Sequence, residues 1–166
     1  MERKVVKNEF PPVFNAESKV LILGSLPSEA SRAAGFYYMN PRNRFWAVMS
    51  SLLKADLPSM NAEGKAVVLL CRGVALSDVI LSCRIHRSAD ASIEIEEYTD
   101  VESILRASKI KRIFLNGQKA YSLFLRRYPE KKEIATLLPS TSPANAKLSL
   151  SDLIASWGAT ILPFLE

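Results

Sequence analysis

A chain of 166 residues that is 48% hydrophobic can bury one good core, so a single domain over residues 1–166 is the expected organisation. Cys71 and Cys83 are the only cysteines and His86 the only histidine, which argues against a disulfide scaffold, a four-cysteine metal or iron–sulfur site, and Ser/His/Asp catalysis. A net charge of +5, from 22 Lys and Arg against 17 Asp and Glu, weakly favours a polyanionic partner such as nucleic acid.

The opening, MERKVVKNEF, lacks the apolar core of a signal peptide, and no later run reaches the ~18 apolar residues of a membrane span. A soluble, cytoplasmic protein without a membrane partner is expected. The run Lys19–Gly24 is rich in β-formers and ends in glycine, the pattern of a central parallel strand. A long loop follows, holding GSLPS at Gly24–Ser28 and then GFYYMNPRNRFW. Asn43–Lys54 carries Phe45, Val48, Met49, Leu52 and Leu53 on one helical face. Asn61–Arg72 predicts a second helix, and GVALSDVI at Gly73–Ile80 predicts a strand running into the polar pair Ser77 and Asp78. Leu81–Thr99 is polar and irregular and predicts a surface excursion, with the alternation at Ile93 and Ile95 as a short edge strand. Asp100 is placed to cap a helix through Ala107, Arg112–Gly117 reads as a third buried strand, Gln118–Arg127 as a helix and Glu133–Leu138 as a fourth strand. After the loop PSTSPAN, apolar residues from Leu150 to Leu165 recur at helical spacing, with Pro163 bending or ending that helix. Strands alternating with helices predict an α/β protein whose mainly parallel sheet is covered on both faces.

In an open parallel sheet the loops at the carboxyl ends of the central strands converge, so GSLPS, the Asp78 turn, NGQK and LPSTSPAN are expected to line one cleft. GSLPS has neither the lysine of a GxxxxGK phosphate loop nor the spacing of a GxGxxG dinucleotide loop. Its glycine allows close backbone approach and its proline stiffens a turn of fixed N–H groups, although an ordinary structural turn uses the same residues. GFYYMNPRNRFW gathers Tyr37, Tyr38, Phe45 and Trp46 with Asn40, Arg42, Asn43 and Arg44, side chains that can stack a base, bond its edge and meet a phosphate. Phe45 and Trp46 equally suit the first turn of a core-facing helix, and Asn43 a helix cap. The hydroxyls of PSTSPAN suit a nucleic-acid backbone, or simply a loop capped by Ser149 or Ser151. Asp78 is either an acceptor for a base edge or a turn residue. His86, Glu94, Glu96 and Glu97 are read as solvated surface without a role.

With LILGSLPS, YYMNPRNRFW, GVALSDVILSCR and the following SADASI, FLNGQKAY and LPSTSPAN in that order, the chain resembles the uracil-DNA glycosylase superfamily, most closely its hypoxanthine-DNA glycosylase branch. The resemblance implies a three-layer α/β/α fold around a four-stranded parallel sheet, no metal or cofactor, and DNA containing a deaminated base as the partner. GSLPS matches the first superfamily motif, and Leu26 stands where the uracil-excising branches hold an Asp or Asn that orients water. In the hypoxanthine branch the important amide lies in the segment matching NPRN, which makes Asn43 the expected catalytic residue, orienting water toward the sugar carbon. Many relatives have His at Asn40. Gly24, Ser25, Leu26, Pro27, Ser28, Tyr37, Tyr38, Phe45 and Asp78 are the expected base-binding residues, with Phe45 at the aromatic position near the flipped base and Asp78 where uracil-specific relatives carry an Asn. LPSTSPAN matches the second motif, so Ser140, Thr141, Ser142, Asn145 and Lys147 are expected to hold DNA, and Leu138 replaces the catalytic His of the uracil enzymes.

The leading expectation is therefore a monofunctional glycosylase acting on hypoxanthine and other deaminated bases, with a monomer as the default state. A uracil- or mismatch-specific enzyme and a relative that binds damaged DNA without cutting it are the alternatives.

Overall fold

The apolar runs that predict strands are short and unbroken, and they find their hydrogen bonds in one another. The computed structural model describes residues 3–8, 10–86 and 93–166. Its elements run β1 (Arg3–Lys7), β2 (Val20–Gly24), α1 (Glu29–Ala34), α2 (Phe45–Leu53), α3 (Ala62–Cys71), β3 (Val74–Asp78), β4 (Ile80–His86), β5 (Ile93–Tyr98), α4 (Val101–Arg106), β6 (Arg112–Asn116), α5 (Gln118–Arg127), β7 (Ala135–Leu138) and α6 (Leu150–Ile161). Strands β3, β2, β6 and β7 lie side by side in that order as a four-stranded sheet, and each neighbouring pair is parallel.

Alternation along β2 splits the core in two. Val20 and Ile22 face Val48, Met49 and Leu52 of α2, Leu69 of α3 and Trp157 of α6. Leu21 and Leu23 face the other way, toward Val101 and Ile104 of α4 and Ala120 and Phe124 of α5. Every β2 residue is fully buried, as a central strand sandwiched between helix layers must be. The result is the expected α/β/α stack. Caps fix where the helices begin: Asp100 accepts from Ser103 N, and Ser149 forms a reciprocal capping box with Asp152 ahead of α6. Helix α6 stops at Ile161, two residues before Pro163, and a short 3-10 turn carries the proline.

Three elements depart from the sequence reading. The loop after GSLPS contains a short helix, α1, whose cap is Ser28 itself. The segment expected as a surface excursion is largely β-structure: β4 pairs antiparallel with both β1 and β5 in a second, three-stranded sheet. Cys83 of β4 is fully buried with Val6 of β1 against the α4 and α5 side of the core. Polar alternation concealed this sheet, because Ser82, Arg84, Glu94 and Glu96 interleave with the residues that pack. β1 was hidden for the same reason, having only Val5 and Val6 among charged neighbours, with Val5 exposed. Residues 87–92, which include most of SADASI, lie outside the described residues.

Candidate active site

Parallel register brings Gly24 opposite Asp78 and Asn116 opposite Leu138, so three strand exits and the loop after β7 open at one end of the sheet. There they enclose a cavity of about 1130 Å³. Gly24–Ser28, Tyr37, Tyr38, Asn40, Asn43 and Asp78 line it, together with Asn116–Lys119 and the loop from Ser140 to Asn145.

Gly24 is required by contact rather than by backbone angle. A Cβ at this position would stand 2.6 Å from both Asp78 Oδ1 and the Tyr38 hydroxyl, far inside van der Waals range. The absent side chain is what lets those two polar groups approach each other at the floor of the cavity. Tyr38 adopts a left-handed backbone with φ of 55°, uncommon for a bulky residue, and its ring lies parallel to Phe45 with centroids 4.0 Å apart.

One wall is a continuous hydrogen-bonded network. Asn43 Oδ1 accepts from Phe45 N at 2.9 Å and from the Thr141 hydroxyl at 2.8 Å. Asn116 Nδ2 donates to that same hydroxyl at 3.0 Å and to the Tyr38 hydroxyl at 3.1 Å, while Asn116 Oδ1 accepts from Thr141 N at 3.0 Å. A backbone N–H can only donate, so the Phe45 contact fixes which end of the Asn43 amide points inward. Its Nδ2 has no partner among the described residues and is the end left for a ligand. Arg44 holds the facing loop by its carbonyls, donating to Ser142 O at 3.1 Å and Asn145 O at 2.7 Å. Trp157 Nε1 secures the start of that loop through Pro139 O at 2.9 Å.

The opposite wall is built around Asp78, only 3% exposed. Asn8 Oδ1 accepts from Phe10 N, which turns Asn8 Nδ2 toward Asp78, where it donates to Oδ2 at 3.2 Å. Asp78 Oδ1 has no partner among the described residues. Its neighbours Asn8, Tyr37 and Tyr38 carry no positive charge, and desolvation pushes the carboxyl up to about 7. The Tyr37 and Tyr38 hydroxyls are raised as well, first by burial and then by Asp78.

Two expected site residues stand outside the cavity lining, and a third is a buried part of its wall. Phe45 is completely buried, with Tyr38 covering one face and Trp46 and Trp157 meeting it edge-on, so it supports the cavity from below without lining it. Thr141 is also fully buried and spends its hydroxyl on Asn43 and Asn116, which makes it a strut of the wall rather than a surface contact for DNA. Lys147 is exposed and outside the cavity lining. Sequence reading passed over Asn8 and Arg32. Arg32 lines the cavity with a buried Nε that has no hydrogen-bond partner among the described residues, and neither position belongs to a motif that would have drawn attention. Among the described residues no cluster of His, Cys, Asp and Glu could hold a metal, and no helix is long and apolar enough to cross a membrane.

The cavity can be compared with known proteins. Residues 11–156 match the family model for the uracil DNA glycosylase superfamily. The hypoxanthine DNA glycosylase of Methanosarcina barkeri is 34% identical over 155 residues, which cover 91% of this chain and 95% of that protein. A hypoxanthine DNA glycosylase of Methanosarcina acetivorans is 34% identical over 148 residues, covering 87% and 92%. The solution NMR structure of a uracil DNA glycosylase candidate from the latter organism superposes with a TM-score of 0.77 at 31% identity, over 94% of this chain and 98% of its own. A match over most of the chain, in both sequence and fold, shows that this protein belongs to the uracil DNA glycosylase superfamily.

Proposed function

We propose that this protein is a monofunctional DNA glycosylase that hydrolyses the N-glycosidic bond of hypoxanthine in DNA, acting as a monomer without metal or cofactor. Similarity along most of the chain to two hypoxanthine DNA glycosylases supports the substrate. The observation that carries the chemistry is the Asn43 amide, which lines the cavity and is clamped through its oxygen, leaving its nitrogen as the free donor among the described residues.

Breaking an N-glycosidic bond leaves positive charge on the sugar and negative charge on the departing base. A fixed donor aimed at that base stabilises the transition state more than the ground state, without reorganising during the reaction. The sequence suggested Asn43 as the residue that orients water. Since its oxygen is already engaged twice, we assign it instead to the leaving base, as a donor through Nδ2. The target nucleotide is flipped out of the duplex into the cavity. Tyr38, whose ring is backed by Phe45, lines the cavity, and the turn Gly24–Ser28 closes one side. Ser140, Ser142 and Asn145 lie on the loop that Arg44 holds, where they face the DNA backbone, while Arg32 and the exposed Lys147 attract its phosphates. Leu26 and the buried Leu138 offer no side chain that could activate water, so departure of the base leads and water follows.

Labelled duplexes containing deoxyinosine, deoxyuridine, deoxyxanthosine or a G·T mismatch, incubated with the protein and then treated with alkali, test the reading. Strand cleavage at deoxyinosine is expected. Cleavage confined to deoxyuridine transfers the protein to uracil repair, and binding without cleavage makes it a non-catalytic reader of damage.

A further inference from the structure

The glycosylase reading leaves open how the cavity tells a deaminated base from its parent. Adenine and hypoxanthine have the same rings and nearly the same size. They differ at one edge: adenine presents an amino group and a bare ring nitrogen, whereas hypoxanthine presents a carbonyl oxygen and a ring N–H. Shape cannot separate them, so the site must read donors and acceptors.

We propose that Asp78, held in orientation by Asn8, is the residue that recognises the deaminated base, its Oδ1 accepting the ring N–H that deamination creates. This assignment rests on the glycosylase reading. It follows from a relay of fixed polarity. Phe10 N donates to Asn8 Oδ1, Asn8 Nδ2 donates to Asp78 Oδ2, and Asp78 Oδ1 remains without a partner among the described residues at the cavity Asp78 lines. Asn8 is 6% exposed and Asp78 3%, so neither interaction is diluted by bulk water. Burying a carboxylate with no cation beside it is costly, and desolvation already pushes its protonation toward neutrality; the hydrogen bond from Asn8 offsets that cost at one oxygen only. A ligand N–H would offset it at the other.

The surrounding polarity fits the same edge. The Tyr38 hydroxyl is a donor available to the carbonyl oxygen of a 6-oxopurine, and Asn43 Nδ2 to its imidazole nitrogen, which adenine shares. Tyr38 and Asp78 Oδ1 converge on the point above Gly24, as adjacent donor and acceptor. Adenine presents the opposite order at those two places, so its bare nitrogen would face a carboxylate oxygen.

The relay supplies its own test. In Asp78→Asn, Asn8 still donates to the new amide oxygen, so the pair survives and the new amide nitrogen turns to the cavity, replacing an acceptor with a donor. Single-turnover excision of hypoxanthine is expected to fall about 100-fold or more, while a merely structural role for Asp78 predicts no change. In the double variant Asn8→Asp, Asp78→Asn the polarity of the pair is reversed, an oxygen faces the cavity again, and excision recovers at least about tenfold over the single variant. An Asp78→Asn protein that cuts at the wild-type rate, or a folded double variant no faster than the single one, overturns the assignment. Should Asp78→Asn fail to fold, the substrate carries the test: wild-type protein cutting N1-methyl-deoxyinosine as fast as deoxyinosine overturns it, and rejection of the methylated base supports it. A wild-type protein that leaves hypoxanthine attached refutes the glycosylase reading itself and this assignment with it; a variant result on an active wild-type bears on Asp78 alone.

Discussion

The two walls of the cavity are built on opposite plans. On the Asn43 side, the Asn43 oxygen, both ends of the Asn116 amide, the Thr141 hydroxyl and the Arg44 guanidinium are engaged within the protein, and only the Asn43 nitrogen is left over. On the Asp78 side a buried carboxylate is gripped by one oxygen and left open at the other. A saturated network resists motion and so delivers one donor to a fixed place. An unsatisfied acceptor costs stability and repays it only when the right ligand binds. The first wall is suited to rate and the second to selection, and perturbing them separately should show it.

The largest effect is expected at the saturated wall. Replacing Asn43 with Ala removes the inward donor and leaves the Thr141 hydroxyl and Phe45 N without their shared acceptor. Loss of one such donor typically costs 10²–10³ in rate. Single-turnover excision of hypoxanthine should fall by about that factor, with the fold retained by circular dichroism and the preference among bases unchanged. A variant as fast as wild type removes Asn43 from the chemistry, and one that alters base preference erases the distinction between the walls.

At the open wall the same logic predicts a gain in stability. The carboxyl of Asp78 rises from 3.8 to about 7 on folding because burial disfavours its charge. A group whose pKa is raised in the folded state contributes stability below its unfolded pKa and loses it as pH climbs through the folded value. The wild-type protein should therefore become less stable between about pH 4 and pH 7 through this one group, by up to about 4 kcal/mol. Asp78→Asn has no charge to bury. At pH 8 it should melt on the order of 5–10 °C above wild type, with the gap closing toward pH 4. Equal melting temperatures across that range mean that the carboxylate is already compensated and the wall is not open.

How much of this was legible in the sequence follows from the kind of pattern each feature makes. β2, β3 and β6 are short apolar runs buried on both faces, and α5 begins and ends where its residues predict. β4 and β1 were missed because their burial is one-sided and their polar residues alternate, so composition resembles a loop. Asn43 could be singled out through the motif around it, but not the direction of its amide, which depends on Thr141, 98 residues away. Phe45 looked like a base platform because an aromatic beside arginines suits stacking, yet being the first residue of α2 turns it into the core, where Tyr38 covers it. Asn8 was illegible, since its meaning lies entirely in a contact with Asp78 across 70 residues.

A smaller effect is expected where the saturated wall meets the DNA-facing loop. Arg44 is the tie between them, and Arg44→Ala would release the carbonyls of Ser142 and Asn145. Because these are hydrogen bonds from a charged group, stability should drop by about 1–3 kcal/mol. Amide hydrogen exchange should quicken across residues 139–148, and hypoxanthine excision should weaken through the KM for DNA more than through kcat. Exchange that rises evenly through the whole sheet means that Arg44 supports the core and not this loop.

The smallest effect comes at the seam between the walls, where Tyr38 belongs to both. Its hydroxyl accepts from Asn116 Nδ2 at 3.1 Å and lies beside Asp78 Oδ1 over Gly24, while its ring rests on Phe45. Tyr38→Phe keeps the ring and the stacking and removes only the oxygen. Asn116 still bonds Thr141 through Nδ2, so the network loses one contact of several, worth about 1 kcal/mol. Excision of hypoxanthine should slow roughly tenfold if the hydroxyl donates to the base, because a neutral hydrogen bond made in the transition state is worth about that much. The pH dependence of stability should persist, since desolvation, the cause of the raised Asp78 carboxyl, is little altered by the loss of one hydroxyl. A Tyr38→Phe protein that loses all activity would show that the hydroxyl serves the reading wall directly, and the division of labour would then run through this residue instead of between Asn43 and Asp78.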